Sequence, residues 1–91
     1  MLYVRHTVGS RLFFETNEYQ IKPVDNEWEI SFSADKESAN NLLQFHDELN
    51  IFHVEGEHQK TWYYSSEGIV HFDKGNNTIS IFADHKTVYP V

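Results

Sequence analysis

Glu27-Trp28-Glu29-Ile30-Ser31-Phe32, followed at once by Ser33 and the run to Leu49, is the stretch that decides the fold. Trp28, Ile30 and Phe32 alternate with Glu27, Glu29 and Ser31, the period of two that sends one set of strand side chains to a core and the other to solvent. At Ser33 the period changes. Placing successive residues 100° apart gathers Ala39, Leu42, Leu43, Phe45 and Leu49 into one arc and leaves Lys36, Glu37, Gln44 and Glu48 mostly outside it. Ser33 is the expected N-cap, because its hydroxyl can accept from the free amides of the first turn, and Asp35 and Glu37 complement the positive end of the helix dipole. The spacing predicts a helix over about residues 34–48, closed by Asn50, with His46 inside the apolar arc at the core boundary.

On the N-terminal side, short runs at 2–6, 11–15 and 19–22 read as strands, separated by Thr7-Val8-Gly9-Ser10 and by Thr16-Asn17-Glu18, where Asn17 is suited to a left-handed turn position. On the C-terminal side, Ile51–Glu55 and His58–Ser65 form a hairpin across Gly56. Ile69–Asp73 and Asn77–Ala83 form another, in which Val70, Phe72, Ile79 and Ile81 share one face, and Thr87-Val88-Tyr89 adds a last short segment. With one helix there are no repeated parallel crossovers. The fold class expected is therefore α+β: an antiparallel, largely meander sheet with one amphipathic helix packed across one face, in a single domain over residues 1–91.

Composition narrows the chemistry. Without cysteine there are no disulfides, thiolate nucleophiles or cysteine-ligated metals. No run approaches the roughly 20 apolar residues of a membrane span, and Met1–His6 lacks the apolar core of a signal peptide, so a cytoplasmic protein without membrane contact is expected. The net charge of −7 argues against direct nucleic-acid binding, which relies on cations to neutralise phosphates, and favours a basic protein partner. The charge is unevenly placed. Residues 1–14 carry Arg5 and Arg11 and no acid, whereas Glu15 to Glu57 holds eleven acids against Lys22 and Lys36.

Within that segment Asp25, Glu27 and Glu29 recur at every second position, so on a regular strand their carboxylates line one face over about 13 Å. A solvated sheet face accounts for such a row, but one selected only for solubility usually mixes signs, and lysine is nearly absent here. The functional reading is a contact surface of Asp25, Glu27 and Glu29, supported by Glu15 and Glu18, with Phe13 as a buried aromatic anchor. Phe13, Tyr63 and Phe82 stand in strand phases opposite to Phe14, to Trp62 or Tyr64, and to Ile81, so some rings are expected to face away from the main core. Small size and acidity of this kind suit a non-enzymatic inhibitor, immunity or antitoxin type of protein that covers a basic, nucleic-acid-facing surface of its partner. It needs no cofactor, and its affinity is expected to weaken in high salt and below about pH 6, where histidines gain charge.

Two other readings stand beside this one. His53, Glu55, His58, His71 and Asp73 offer imidazoles and carboxylates on strands that come close if the hairpins pair, a set suited to a divalent metal or to acid–base work. Their spacing matches no metal motif, and alternating His and Asp arise readily on a solvated face. A structural or oligomerisation domain pairing through a strand edge is the third reading. Ser65-Ser66 is expected to serve a turn, since no nucleophile motif surrounds it.

Overall fold

Each alternating run becomes a strand in the computed structural model, which describes residues 1–56 and 59–90, with the backbone alone for 89 and 90. The elements are β1 Leu2–His6, β2 Leu12–Thr16, β3 Tyr19–Val24, β4 Glu27–Ser33, α1 Lys36–Gln44, β5 Leu49–Glu55, β6 Gln59–Tyr64, β7 Ile69–Asp73, β8 Thr78–Ala83 and β9 His85–Pro90. All pairing is antiparallel, so the α+β class with one helix on antiparallel sheets holds.

The hairpins β5–β6 and β7–β8 form as expected, β1–β2 and β3–β4 also pair, and the four hairpins belong to two sheets. One has the order β2-β1-β5-β6-β9 and the other β3-β4-β8-β7. Successive hairpins alternate between them, so the chain changes sheet after β2, across the helix, after β6 and after β8. The reason is burial: one sheet of this width leaves an apolar face uncovered, and two sheets cover each other.

The sheets cross steeply. Phe32 of β4 stacks on Phe14 of β2 at 5.0 Å, and Trp28 of β4 meets Tyr63 of β6 at 6.0 Å. Strands β2 and β6 lie three spacings apart, about 14 Å, and four residues of β4 span about 13 Å, so β4 runs across the strands of the opposite sheet. Between the sheets lie Leu2, Val4, Ile30, Ile51, Ile79 and Ile81, fully or almost fully buried, each worth about 1.5–3 kcal/mol of transfer free energy. Val70 and Phe72 pair with Ile81 and Ile79 and pack on this core, as their shared phase requires.

The helix is shorter than its periodicity suggests. Ser33 still pairs with Thr78 in the sheet, and the Ala34 amide donates to the Asn77 carbonyl at 2.9 Å, so the strand consumes the expected cap. Asp35 caps instead, its carboxylate accepting from the Ser38 amide at 2.7 Å. That bond holds the Asp35 carboxyl below its usual range. The helix ends at Gln44, and Leu49, read from sequence as part of its apolar arc, begins β5 opposite His6. Ala39 and Leu42 are buried where the helix packs against β2 and β7, an edge strand of each sheet, so the helix spans the side of the sandwich.

His46 follows the helix in an exposed turn rather than lying in its apolar arc. Its Nδ1 bonds the Gly68 carbonyl at 2.7 Å, tying this turn to the one before β7. Gly68 has φ +65°, and a Cβ there would sit 2.9 Å from Asp47 Cα and Cβ, so the approach admits only glycine. Asn17 does not take the left-handed conformation. Ser10, Asp25 and Asn77 do, and the Asn17 turn is held by the Thr16 hydroxyl accepting from the Glu18 amide at 3.0 Å.

Candidate functional site

The register of the four-stranded sheet fixes which side chains share its outer face. Pairing puts Lys22 beside Glu29, Glu29 beside Phe82 and Phe82 beside Ile69, in one row across all four strands. The next row is Gln20, Ser31, Ser80 and His71. Ile69 is exposed and Phe82 half-buried, with the His71 ring edge-on to it at 5.7 Å. Small hydroxyl residues in the central strands leave a shallow recess of about 480 Å³, lined by Glu18, Gln20, Ser31, Ser33 and Thr78 together with Tyr19 and Phe32. The face therefore presents an apolar centre at Phe82 and Ile69 with carboxylates on one side and a polar hollow on the other.

The acids singled out in the sequence do not all meet there. Glu27 and Glu29 lie on this face, and Asp25 occupies the left-handed turn that joins their strand to β3. Glu29 is also ion-paired with Lys22 at 3.2 Å and is 20% exposed, so part of its charge is neutralised within the face. Glu18 stands at the lip of the recess. Glu15 is on the other sheet, opposite Tyr3. Phe13 is half-buried rather than free, stacked on Phe45 at 5.2 Å, 5.3 Å from His6 and beneath the Arg11 guanidinium. The aromatic ring that does stand among the acids is Phe82.

The imidazole–carboxylate set is divided between the sheets. His53 lies in the inward phase of β5, opposite Leu2 and Thr61, with the Tyr19 ring edge-on at 5.2 Å and Glu55 at 3.5 Å. Burial lowers its pKa, with the amino terminus and Lys86 acting in the same direction and Glu55 opposing. His71 and Asp73 are on β7 of the other sheet, facing out. Asp73 is engaged in its own turn, accepting from the Asn76 side chain at 2.9 Å and the Gly75 amide at 3.0 Å, and those bonds lower its pKa. His58 lies outside the described residues. Among the described residues no three His, Asp or Glu side chains are placed to hold a metal ion.

The outer face of the five-stranded sheet was not singled out from sequence. The run Trp62-Tyr63-Tyr64 leaves the phase open, and the structure resolves it: Tyr63 is 4% exposed in the core, while Trp62 and Tyr64 face outward. They join Tyr3, Phe52 and His85 there, because Tyr3 pairs with Phe52, Phe52 with Trp62 and Tyr64 with His85. The signal available in the sequence was Trp62 and Tyr64 at alternate positions of one strand with single rings, Tyr3 and Phe52, on two others, legible once the register is known. Comparison with protein-family models, with characterised proteins and with solved structures returns no match to this chain.

Proposed function

We propose that this chain is a non-enzymatic acidic binding protein of the inhibitor, immunity or antitoxin type. In this reading it acts in the cytoplasm and uses the outer face of its four-stranded sheet to cover a basic, nucleic-acid-facing surface of a partner protein. The observation that carries the reading is the juxtaposition of Glu27 and Glu29 with the outward Phe82 and Ile69 on a single sheet face. Carboxylates beside an apolar patch supply the two components of a protein interface: charge that speeds encounter and selects a basic partner, and an aromatic anchor that slows release.

Pairing through a strand edge is less favoured by the edges themselves. Pro23 in β3 and Pro90 in β9 each remove a backbone donor from an edge strand, the β1–β2 register is interrupted between Val4 and Arg5, and the helix packs against β2 and β7. The test is capture of partners from native lysate on immobilised protein, eluted with a salt step and identified by mass spectrometry. A basic protein released by salt supports the reading. Partners retained regardless of salt would count against it.

A further inference from the structure

We propose that the polar recess on the outer face of the four-stranded sheet receives an arginine side chain of the basic partner. The inference rests on the acidic-face reading and names what that partner must present. The recess, about 480 Å³, adjoins the row of Glu29 and Phe82: Ser31 is two residues from Glu29 on β4, about 7 Å along the strand. Ser33 and Thr78, paired across β4 and β8, form the row beyond, and Glu18 and Gln20 stand along the β3 side. Small-molecule clefts have a similar volume, about 300–1,000 Å³, but they are mostly apolar and bury most of their ligand. A shallow polar hollow suits instead the tip of a side chain carried by a protein that covers the face.

The groups that line it are free to accept hydrogen bonds. Among the described residues, the side chains of Glu18, Gln20, Ser31 and Ser33 make no hydrogen bond or ion pair. The Thr78 hydroxyl donates to the Asn76 carbonyl at 3.1 Å, so toward the recess it can only accept. A guanidinium is the complement of such a lining, with five N–H donors in a planar fork and no acceptor. It can pair with the Glu18 carboxylate and still reach hydroxyls and an amide oxygen, whereas an ammonium is a point charge that gains less from acceptors spread across a hollow.

The local charge points the same way. Lys22 is paired with Glu29 at 3.2 Å. Asp35 and Lys36 are neighbours at the start of the helix, and Asp73 and Lys74 at the end of β7, so the formal charges of each couple cancel. Glu18 is exposed at the lip and belongs to none of these couples, and its carboxylate is the uncompensated charge at the recess.

The probe is N-acetyl-arginine amide, titrated into isotope-labelled protein at constant ionic strength and followed by amide NMR shifts. It is compared with N-acetyl-lysine amide and with the uncharged, isosteric N-acetyl-citrulline amide. Expected are saturable shifts at Gln20, Ser31, Ser33 and Thr78 with a dissociation constant on the order of 10 mM or tighter, and binding about tenfold weaker for lysine and citrulline. Glu18→Gln, at an exposed position, weakens arginine binding about tenfold, in keeping with loss of one charge-assisted pair. Ser31→Val fills the hollow with a residue that strands favour and abolishes the shifts with Glu18 still in place. Glu67→Gln, before the opposite end of β7, leaves them within about twofold, which separates a specific pair from general charge. No saturable shift up to about 100 mM, equal binding of lysine or citrulline, or binding indifferent to Glu18→Gln or to Ser31→Val overturns the proposal. The recess and the acidic face fail separately. A basic partner captured through Glu27 and Glu29 at an affinity unchanged by Glu18→Gln overturns the recess alone, while arginine bound in the recess with no basic partner captured overturns the acidic-face reading alone.

Discussion

Ile81 and Phe82 are neighbours on β8 that face opposite ways, so truncating each in turn separates folding from binding. Ile81 is 2% exposed, packed between the sheets opposite Ile30 and Val70. Removing its side chain beyond Cβ leaves a cavity that two crossed sheets cannot readily collapse, and Ile81→Ala is expected to cost about 2–5 kcal/mol. Against a total stability of about 5–15 kcal/mol for a domain, that is a large share, equivalent to a fall in Tm of roughly 10–25 °C at this chain length. Phe82 loses only its edge contact with His71 and its cross-strand neighbours Glu29 and Ile69, so Phe82→Ala is expected to cost about 1 kcal/mol or less. Urea unfolding followed by circular dichroism measures both, the midpoint falling sharply for one variant and little for the other at an unchanged slope. Partner capture should show the reverse, lost for Phe82→Ala and kept by whatever Ile81→Ala remains folded. A larger loss from Phe82→Ala than from Ile81→Ala would refute the register, because a one-residue slip of β8 exchanges their roles.

Other perturbations have equally direct readouts. Gly68→Ala places a methyl against Asp47 at a left-handed position and is expected to destabilise by about 1–3 kcal/mol, seen as a lowered urea midpoint. Asp84 is held down to about 2 by the Ser66 hydroxyl and amide and then by His85. Its folded pKa lies below the unfolded value of 3.8, so its contribution is present above about pH 4 and is lost as pH falls towards 2; Asp84→Asn should flatten that limb of a stability–pH curve. His53 has a pKa lowered from 6.5 by burial, so the unfolded chain binds its proton first and stability declines as pH drops below about 6.5. His53→Leu should remove that decline in unfolding experiments between pH 7 and 5.

Much of the fold is legible in the sequence because alternation is a local property. Trp28, Ile30 and Phe32 share the inner phase of β4, and the Val70, Phe72, Ile79 and Ile81 face is where its period of two places it. The division into two sheets is not legible, because it depends on pairings such as β1 with β5 and β4 with β8 between residues far apart in the chain. Leu49 shows the same competition at one residue. Its spacing from Leu42 and Phe45 fits a helix, but pairing with His6 draws it into β5. Of the acidic face, Glu27 and Glu29 follow from alternation. The outward phase of Phe82 follows too, from its place beside the inward Ile81. That Phe13 packs on Phe45 does not, since that contact joins residues far apart in the chain. Trp62-Tyr63-Tyr64 hides its phase because all three are aromatic and tertiary packing alone decides which ring turns inward.

The most direct measurement of the binding face is the affinity of the captured basic partner for three proteins: wild type, Glu27→Lys with Glu29→Lys, and Glu15→Lys. Glu27 and Glu29 share the proposed face, and Glu15 lies on the opposite sheet. Reversal on the face is expected to weaken binding by tenfold or more and to reduce its salt dependence, with Glu15→Lys close to wild type. Equal affinities for all three proteins, or the larger loss from Glu15→Lys, would contradict an acidic contact surface on the four-stranded sheet.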